Sequence, residues 1–244
     1  MASARKKDSA GIVLGIETAT SCGSVALCGG GELLGELMLA NPRSHSERLL
    51  PAIEFLLEAA SMSTADLAAV AVSAGPGSFT GLRIGVAAAK GLAFSCEIPL
   101  YGIPSLPVLA ANASPVVPSV CAVIDARRGE VFSTINGEDA RISSPAELAA
   151  SLPGQTLVLG EVPAPLAVLL RERSKDGIVL APAQQNIPRA AVVALRGEAL
   201  LSSGRGSEAE SLVPFYLRPS DAEANLRAGA ARRLKTAKRR EKAC

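Results

Sequence analysis

With 244 residues the chain has room for one large domain or two small ones, and with 48% hydrophobic but only 3% aromatic residues and no Trp its core must be built from Ala, Val, Leu and Ile. Five cysteines, an odd number without CxxC spacing, argue against a disulfide framework and for thiols in a reducing cytosol, so a cytoplasmic protein is expected. The net charge of +2 is unevenly spread: residues 222–244 hold eight Lys or Arg against two Glu, and the body before them is mildly acidic.

Arg5, Lys6 and Lys7 precede an apolar stretch at 10–16, but Glu17 interrupts it and no clear cleavage site follows. It reads as a first strand, over 11–16. Strands over 25–28 and 33–38 come next, separated by Gly29, Gly30 and Gly31, which can supply the positive φ of a hairpin. Ser44 and Glu47 then have the spacing of a capping box. Behind them Leu49, Leu50, Ile53, Leu56, Leu57 and Ala60 recur at helical spacing, with Pro51 either kinking the helix or marking its start. A buried parallel strand over 68–72, a loop over 75–81, a Gly- and Ala-rich helix over 82–95 and a strand over 99–103 complete the first half. Three antiparallel strands followed by helix, strand, helix and strand is the α/β order of a ribonuclease-H-like module, the unit of the actin-like ATPase fold.

Residues 98–124 carry no charge and are long enough to span a bilayer. Pro99, Pro104, Pro107, Pro115 and Pro118 are incompatible with a spanning helix, so the stretch is folded core and no membrane partner is expected. Strands over 120–124 and 130–135 flank a turn at 125–129. A helix at Pro145–Ser151, a strand over 157–160, a helix over 163–173, a strand over 178–180 and a last helix over 188–203 follow. This half reads as an eroded repeat of the first, with Glu17 and Asp125 each ending a strand before a turn. The expected organisation is an N-terminal lobe over 11–103, a reduced C-terminal lobe over 104–221 and a disordered basic tail over 222–244.

The most distinctive stretch is GPGSFTGLRIG at 75–85. It lacks the Gly-Lys-Ser/Thr of a P-loop and the GxGxxG of a dinucleotide site. A glycine-rich loop entering a helix N-terminus can offer N–H groups to a phosphate, which makes Gly75, Gly77, Ser78, Thr80, Gly81 and Arg83 candidate contacts. It can equally be a tight turn in which Ser78 or Thr80 caps the helix.

Five stretches in order, GIETATSCGSVAL at 15–27, SHSERLLPAIEFLL at 44–57, GPGSFTGLRIGVAAAKGLAF at 75–94, IDARRGEVF at 124–132 and VPFYLRP at 213–219, together resemble the TsaB (YeaZ) family. The resemblance implies a two-lobed actin-like fold, the second lobe reduced, that has lost its own catalysis. It implies a scaffold role in threonylcarbamoyl modification of the tRNA adenosine beside the anticodon, with a TsaD-like catalytic partner, a TsaE-like ATPase, and tRNA as substrate of the complex. It also implies homodimers formed through equivalent helices. Any ATP or ADP would sit at a subunit boundary, with no cofactor of the chain's own. The two helices around 49–60 and 82–95 are the expected contact surface, with Leu49, Ile53, Leu56, Gly85, Ala88, Ala89 and Gly91 as its residues.

The residues themselves argue against other chemistries. One histidine, His45, cannot build a metal site without companion ligands, so no metal is expected. No GxSxG elbow marks a nucleophile, and no catalytic residue is assigned. Glu17, followed by Thr18 and Thr20, is compatible with a first phosphate turn of an ATPase. Asp125 is followed by Ala126, Arg127 and Arg128, two long side chains that would crowd a triphosphate or pair with it. The rival reading is a stand-alone enzyme of the same fold, metalloprotease-like or kinase-like. The basic tail is read as a solvated appendage or a phosphate-backbone contact, without aromatics to read bases.

Overall fold

A computed structural model describes residues 11–39 and 45–218, the side chain of His45 excepted. The Ser44 cap, the His45 imidazole, Pro219 and the basic tail lie outside the described residues.

The first sheet contains β1 (Ile12–Glu17), β2 (Gly23–Gly29), β3 (Glu32–Leu39), β4 (Leu67–Gly75) and β5 (Leu100–Pro104). β1–β2–β3 form the antiparallel meander, and β4 and β5 add in parallel, giving the order β3-β2-β1-β4-β5. The second sheet is built from β6 (Ser119–Arg127), β7 (Glu130–Ile135), β8 (Arg141–Ser143), β9 (Thr156–Gly160) and β10 (Val179–Leu180), in the order β10-β9-β6-β7-β8. Read from its own meander outward, the second sheet has the same order as the first. The repeat is therefore written in topology, and the fold is two ribonuclease-H-like sheets of the actin-like ATPase type.

Alternation along the strands assigns the faces. On β1, Leu14 and Ile16 join the core beneath α1 (His45–Ala59) and α2 (Phe79–Cys96), whereas Val13 lies on the opposite face. α1 runs unbroken through Pro51 from His45, so the proline does not start it. Its buried stripe is Leu49, Ala52, Ile53, Leu56 and Leu57. The second sheet places Cys121 and Val123 against α4 (Pro145–Ser151) and α5 (Ala164–Glu172). Its other face, with Ala122 and Ile124, meets Leu106 and Leu109 of α3 (Ser105–Ala110). Neither α3 nor β8 is evident in the sequence: α3 is short and carries Pro107 in its first turn, and β8 is a three-residue edge.

α6 (Ala190–Ser202) corrects the expected organisation. Although it lies within the 104–221 stretch, it packs on the open face of the first sheet, where Val193 and Ala194 join Val13, Ala69 and Ala71. The reason is fit between small residues. A Cβ on Gly15 would lie 2.3 Å from Ala190 O, and one on Gly197 would lie 2.4 Å from Ala71 Cβ. The N-terminus of α6 is capped from far upstream, with Ala190 N donating to Ser24 Oγ at 2.9 Å and Ala191 N to Glu36 Oε1 at 3.1 Å. No helix among the described residues is long and apolar enough to cross a membrane.

Candidate functional site

A cleft of about 530 Å³ opens between the two sheets. Its walls are the β1–β2 turn, the glycine loop entering α2, the β6–β7 hairpin and residues 215–218. The glycine loop shows both capping and close packing. Ser78 is the N-cap of α2, its Oγ accepting from Gly81 N at 3.2 Å, and its own N–H donates to Ala19 O at 2.7 Å. A Cβ on Gly77 would stand 2.3 Å from Ala19 O, one on Gly81 2.1 Å from Thr18 O, and one on Gly75 2.5 Å from Phe215 O. These glycines let backbone meet backbone. Thr80 is exposed at the cleft, as is Arg83.

The two acids that would hold a magnesium ion in an actin-like ATPase are differently engaged. Glu17 is fully buried; its Oε1 accepts from Ala19 N at 2.6 Å, and its Oε2 is buried without a partner among the described residues. Loss of hydration pushes its carboxyl up to about 7, against the lowering effect of the Ala19 N–H and Ser73 hydroxyl. Asp125 accepts from Arg127 N at 2.8 Å through Oδ1 and pairs with the Arg127 guanidinium at 3.0 Å through Oδ2. A guanidinium thus stands where a cation would be needed, and the pair does not fit a magnesium site. No group of three or more His, Cys, Asp or Glu able to hold a metal occurs among the described residues.

The hairpin explains how those arginines reach the cleft. β6 extends to Arg127, further than the sequence implies, and Arg127 faces Glu130 across a bulge in the ladder. Arg127, Arg128 and Gly129 all take positive φ, at 62°, 55° and 78°. The last two are the central residues of a two-residue hairpin turn of the kind that requires this.

The last described segment, 212–218, is a strap that the sequence marked only as a family motif. Phe215 N donates to Ala74 O at 2.6 Å on the first sheet. Arg218 reaches the second sheet, donating to Ala126 O at 3.1 Å and pairing with Glu130. Between these anchors Tyr216 lies 5.0 Å from the Phe79 ring and its hydroxyl accepts from Arg83 Nε at 3.1 Å. The Arg83 guanidinium sits 3.8 Å over the Phe79 ring. In so aromatic-poor a chain, adjacent Phe215 and Tyr216 were the available signal.

The expected contact surface needs correction residue by residue. Leu49, Ile53 and Leu56 are core, only 1%, 3% and 6% exposed, and Gly85 and Ala89 are likewise buried within the chain. Ala88 is half-buried and Gly91 is exposed. Apolar periodicity found the side of each helix that faces the sheet. The large apolar residues left outside are Leu50 and Phe55 on α1 and Phe94 on α2, 53%, 59% and 85% exposed. Burial pushes the Cys28 thiol up to about 11 and the Cys121 thiol to about 12, so neither is a reactive thiol.

Comparison with known proteins agrees with this architecture. Residues 39–151 match the family model described as "TsaD: tRNA N6-adenosine threonylcarbamoyltransferase". The chain is 30% identical over 224 residues to the tRNA threonylcarbamoyladenosine biosynthesis protein TsaB of Bacillus subtilis, covering 87% of this chain and 96% of that one. It is 42% identical over 122 residues to the Escherichia coli protein of the same name, 49% of this chain and 52% of that one. The structure of YeaZ from Pseudomonas aeruginosa superposes with a TM-score of 0.67 at 27% identity, covering 85% of this chain and 100% of that one. Similarity along nearly the whole of a TsaB protein, on a shared two-sheet architecture, makes this chain a member of the TsaB family.

Proposed function

We propose that the chain acts in the biosynthesis of threonylcarbamoyladenosine in tRNA as a non-catalytic subunit that docks a TsaD-like threonylcarbamoyltransferase. The pathway is the one named for its relatives. The observation that carries the docking role is the solvent-facing side of α1 and α2, where Leu50, Phe55 and Phe94 stay exposed although the core beneath is full. Exposed large apolar groups on neighbouring helices are the material of a protein interface. The buried Glu17 and the arginine-paired Asp125 support the absence of a separate reaction centre. A TsaE-like ATPase, tRNA held by the assembled complex, and ATP or ADP at a subunit boundary belong to the same reading.

The test combines the purified chain with the TsaD-like protein of the same organism in sedimentation velocity and in a tRNA modification assay. Phe94→Glu and Phe55→Glu should weaken association at least about tenfold, the loss of a well-packed aromatic anchor. Asp125→Asn should leave the modification rate within about twofold. Undiminished association in both Glu variants, or abolished modification in Asp125→Asn with association intact, overturns the proposal.

A further inference from the structure

α2 is flanked by α1 and also by the chain that leads into the strap. That chain runs antiparallel to the helix. Lys90 Nζ donates to Glu210 O at 3.4 Å, and two turns back Arg83 Nε donates to Tyr216 Oη at 3.1 Å. Arg83, Ala87, Lys90 and Phe94 recur at helical spacing and share one stripe of α2. Residues 210–216 accompany that stripe from Lys90 to Arg83, and the exposed Phe94 stands one turn beyond them. Val213 falls midway between the two bonds. Its neighbours hold it in place: Leu212 is sunk in the core of the first sheet, Phe215 N is bonded to Ala74 O, and Leu217 packs on the core of the second sheet. Side chains alternate along extended backbone, so burying Leu212 turns Val213 outward, where it is 71% exposed.

We propose that the strap is the third element of the docking face: the partner seated on Phe55 and Phe94 also packs on Val213. This rests on the docking role proposed above, and the occupant is the same TsaD-like protein. The contact is apolar in kind. The two cations of the α2 stripe are engaged within the chain, Lys90 with Glu210 O and Arg83 with Tyr216 and the Phe79 ring. What the strap offers outward is Val213, with Phe215 53% exposed beyond it. A side chain held by buried neighbours on both sides is already ordered before docking, so little freedom is lost when it is covered. The strap is also tied to the second sheet through Arg218, so the docking face reaches both halves of the fold.

The experiment measures association of the full chain with the TsaD-like protein of the same organism, by sedimentation velocity, for Val213→Glu and Val213→Lys beside Phe55→Glu and Phe94→Glu. Both Val213 variants should weaken association about tenfold, because either charge would be buried against an apolar surface. Thermal unfolding of the isolated variants should match the parent, as expected for an exposed position. Amide hydrogen exchange of the parent, which needs no variant, should slow at 210–216 when the partner is added. Association undiminished in the Val213 variants while Phe94→Glu weakens it overturns this inference and leaves the docking role standing. So does weakening by one sign of charge alone, which is long-range electrostatics and not burial, and so does unchanged exchange at 210–216 while α2 gains protection. If Phe55→Glu and Phe94→Glu both associate like the parent, the docking role fails and this inference falls with it.

Discussion

A Cβ placed on Gly85 would lie 2.2 Å from Thr18 Oγ1, so α2 meets the first turn of the chain at a point where only a hydrogen fits. Thr18 is fully buried and its short side chain has nowhere to retreat. Gly85→Ala should therefore destabilise the fold by about 1–3 kcal/mol, overpacking outweighing the better helix propensity of Ala. Gly91 lies on the same helix with nothing within 4 Å of its added Cβ, and Gly91→Ala should stabilise by about 0.5–1 kcal/mol. Urea denaturation checks both; equal signs would refute the packing argument.

Glu17 makes stability depend on pH. Its carboxyl ionises at about 7 when folded, above the 4.5 of an unhindered group, so the native state holds a proton that the unfolded chain has released. Its contribution is fully present below pH 4.5 and is lost as pH rises towards 7, a change of about 3 kcal/mol. Glu17→Gln has no such proton. The fall in unfolding free energy between pH 5 and pH 8 should be smaller in that variant by about this amount, measured by urea titration at each pH.

Core and contact surface on α1 and α2 separate by mutation. Leu49→Ala empties a site that is only 1% exposed and should cost about 2–5 kcal/mol. Phe94→Glu changes a side chain that is 85% exposed and should leave stability within about 0.5 kcal/mol. Thermal unfolding of the isolated chain distinguishes them.

The cap of α6 gives a fourth kind of test. Glu36 has a side chain only 8% exposed, pairs with Arg189 and accepts from Ala191 N. Glu36→Ala should cost about 1–3 kcal/mol by stranding these donors. Amide hydrogen exchange should accelerate in α6 while α4 and α5, on the second sheet, keep their protection.

Local rules read much of this fold. β7 and α4 fall on the residues that alternation and turn chemistry select, and α4 carries its own capping box, Ser144 with Glu147. What escaped depends on distance along the chain. Ser24 and Glu36 cap a helix more than 150 residues later, and no window of sequence contains both ends of that relationship. The cleft was half legible: Gly77, Ser78 and Arg83 were singled out, but the packing of glycines on Ala19 and Thr18 is a tertiary fact. The apolar stripe of α1 misled because periodicity reports a buried face without saying what buries it.

The place of α6 has a consequence for synthesis. The strands of the first sheet are complete by Pro104, yet the helix that covers Val13, Ala69 and Ala71 ends at Ser202. At usual elongation rates the ribosome needs roughly 5–20 s to make the intervening stretch. During that interval one apolar face of the sheet is open to water, while the second sheet acquires α3, α4 and α5 as it emerges. A nascent chain stalled before residue 190 thus presents a bare face of the first sheet to whatever binds such surfaces in the cell.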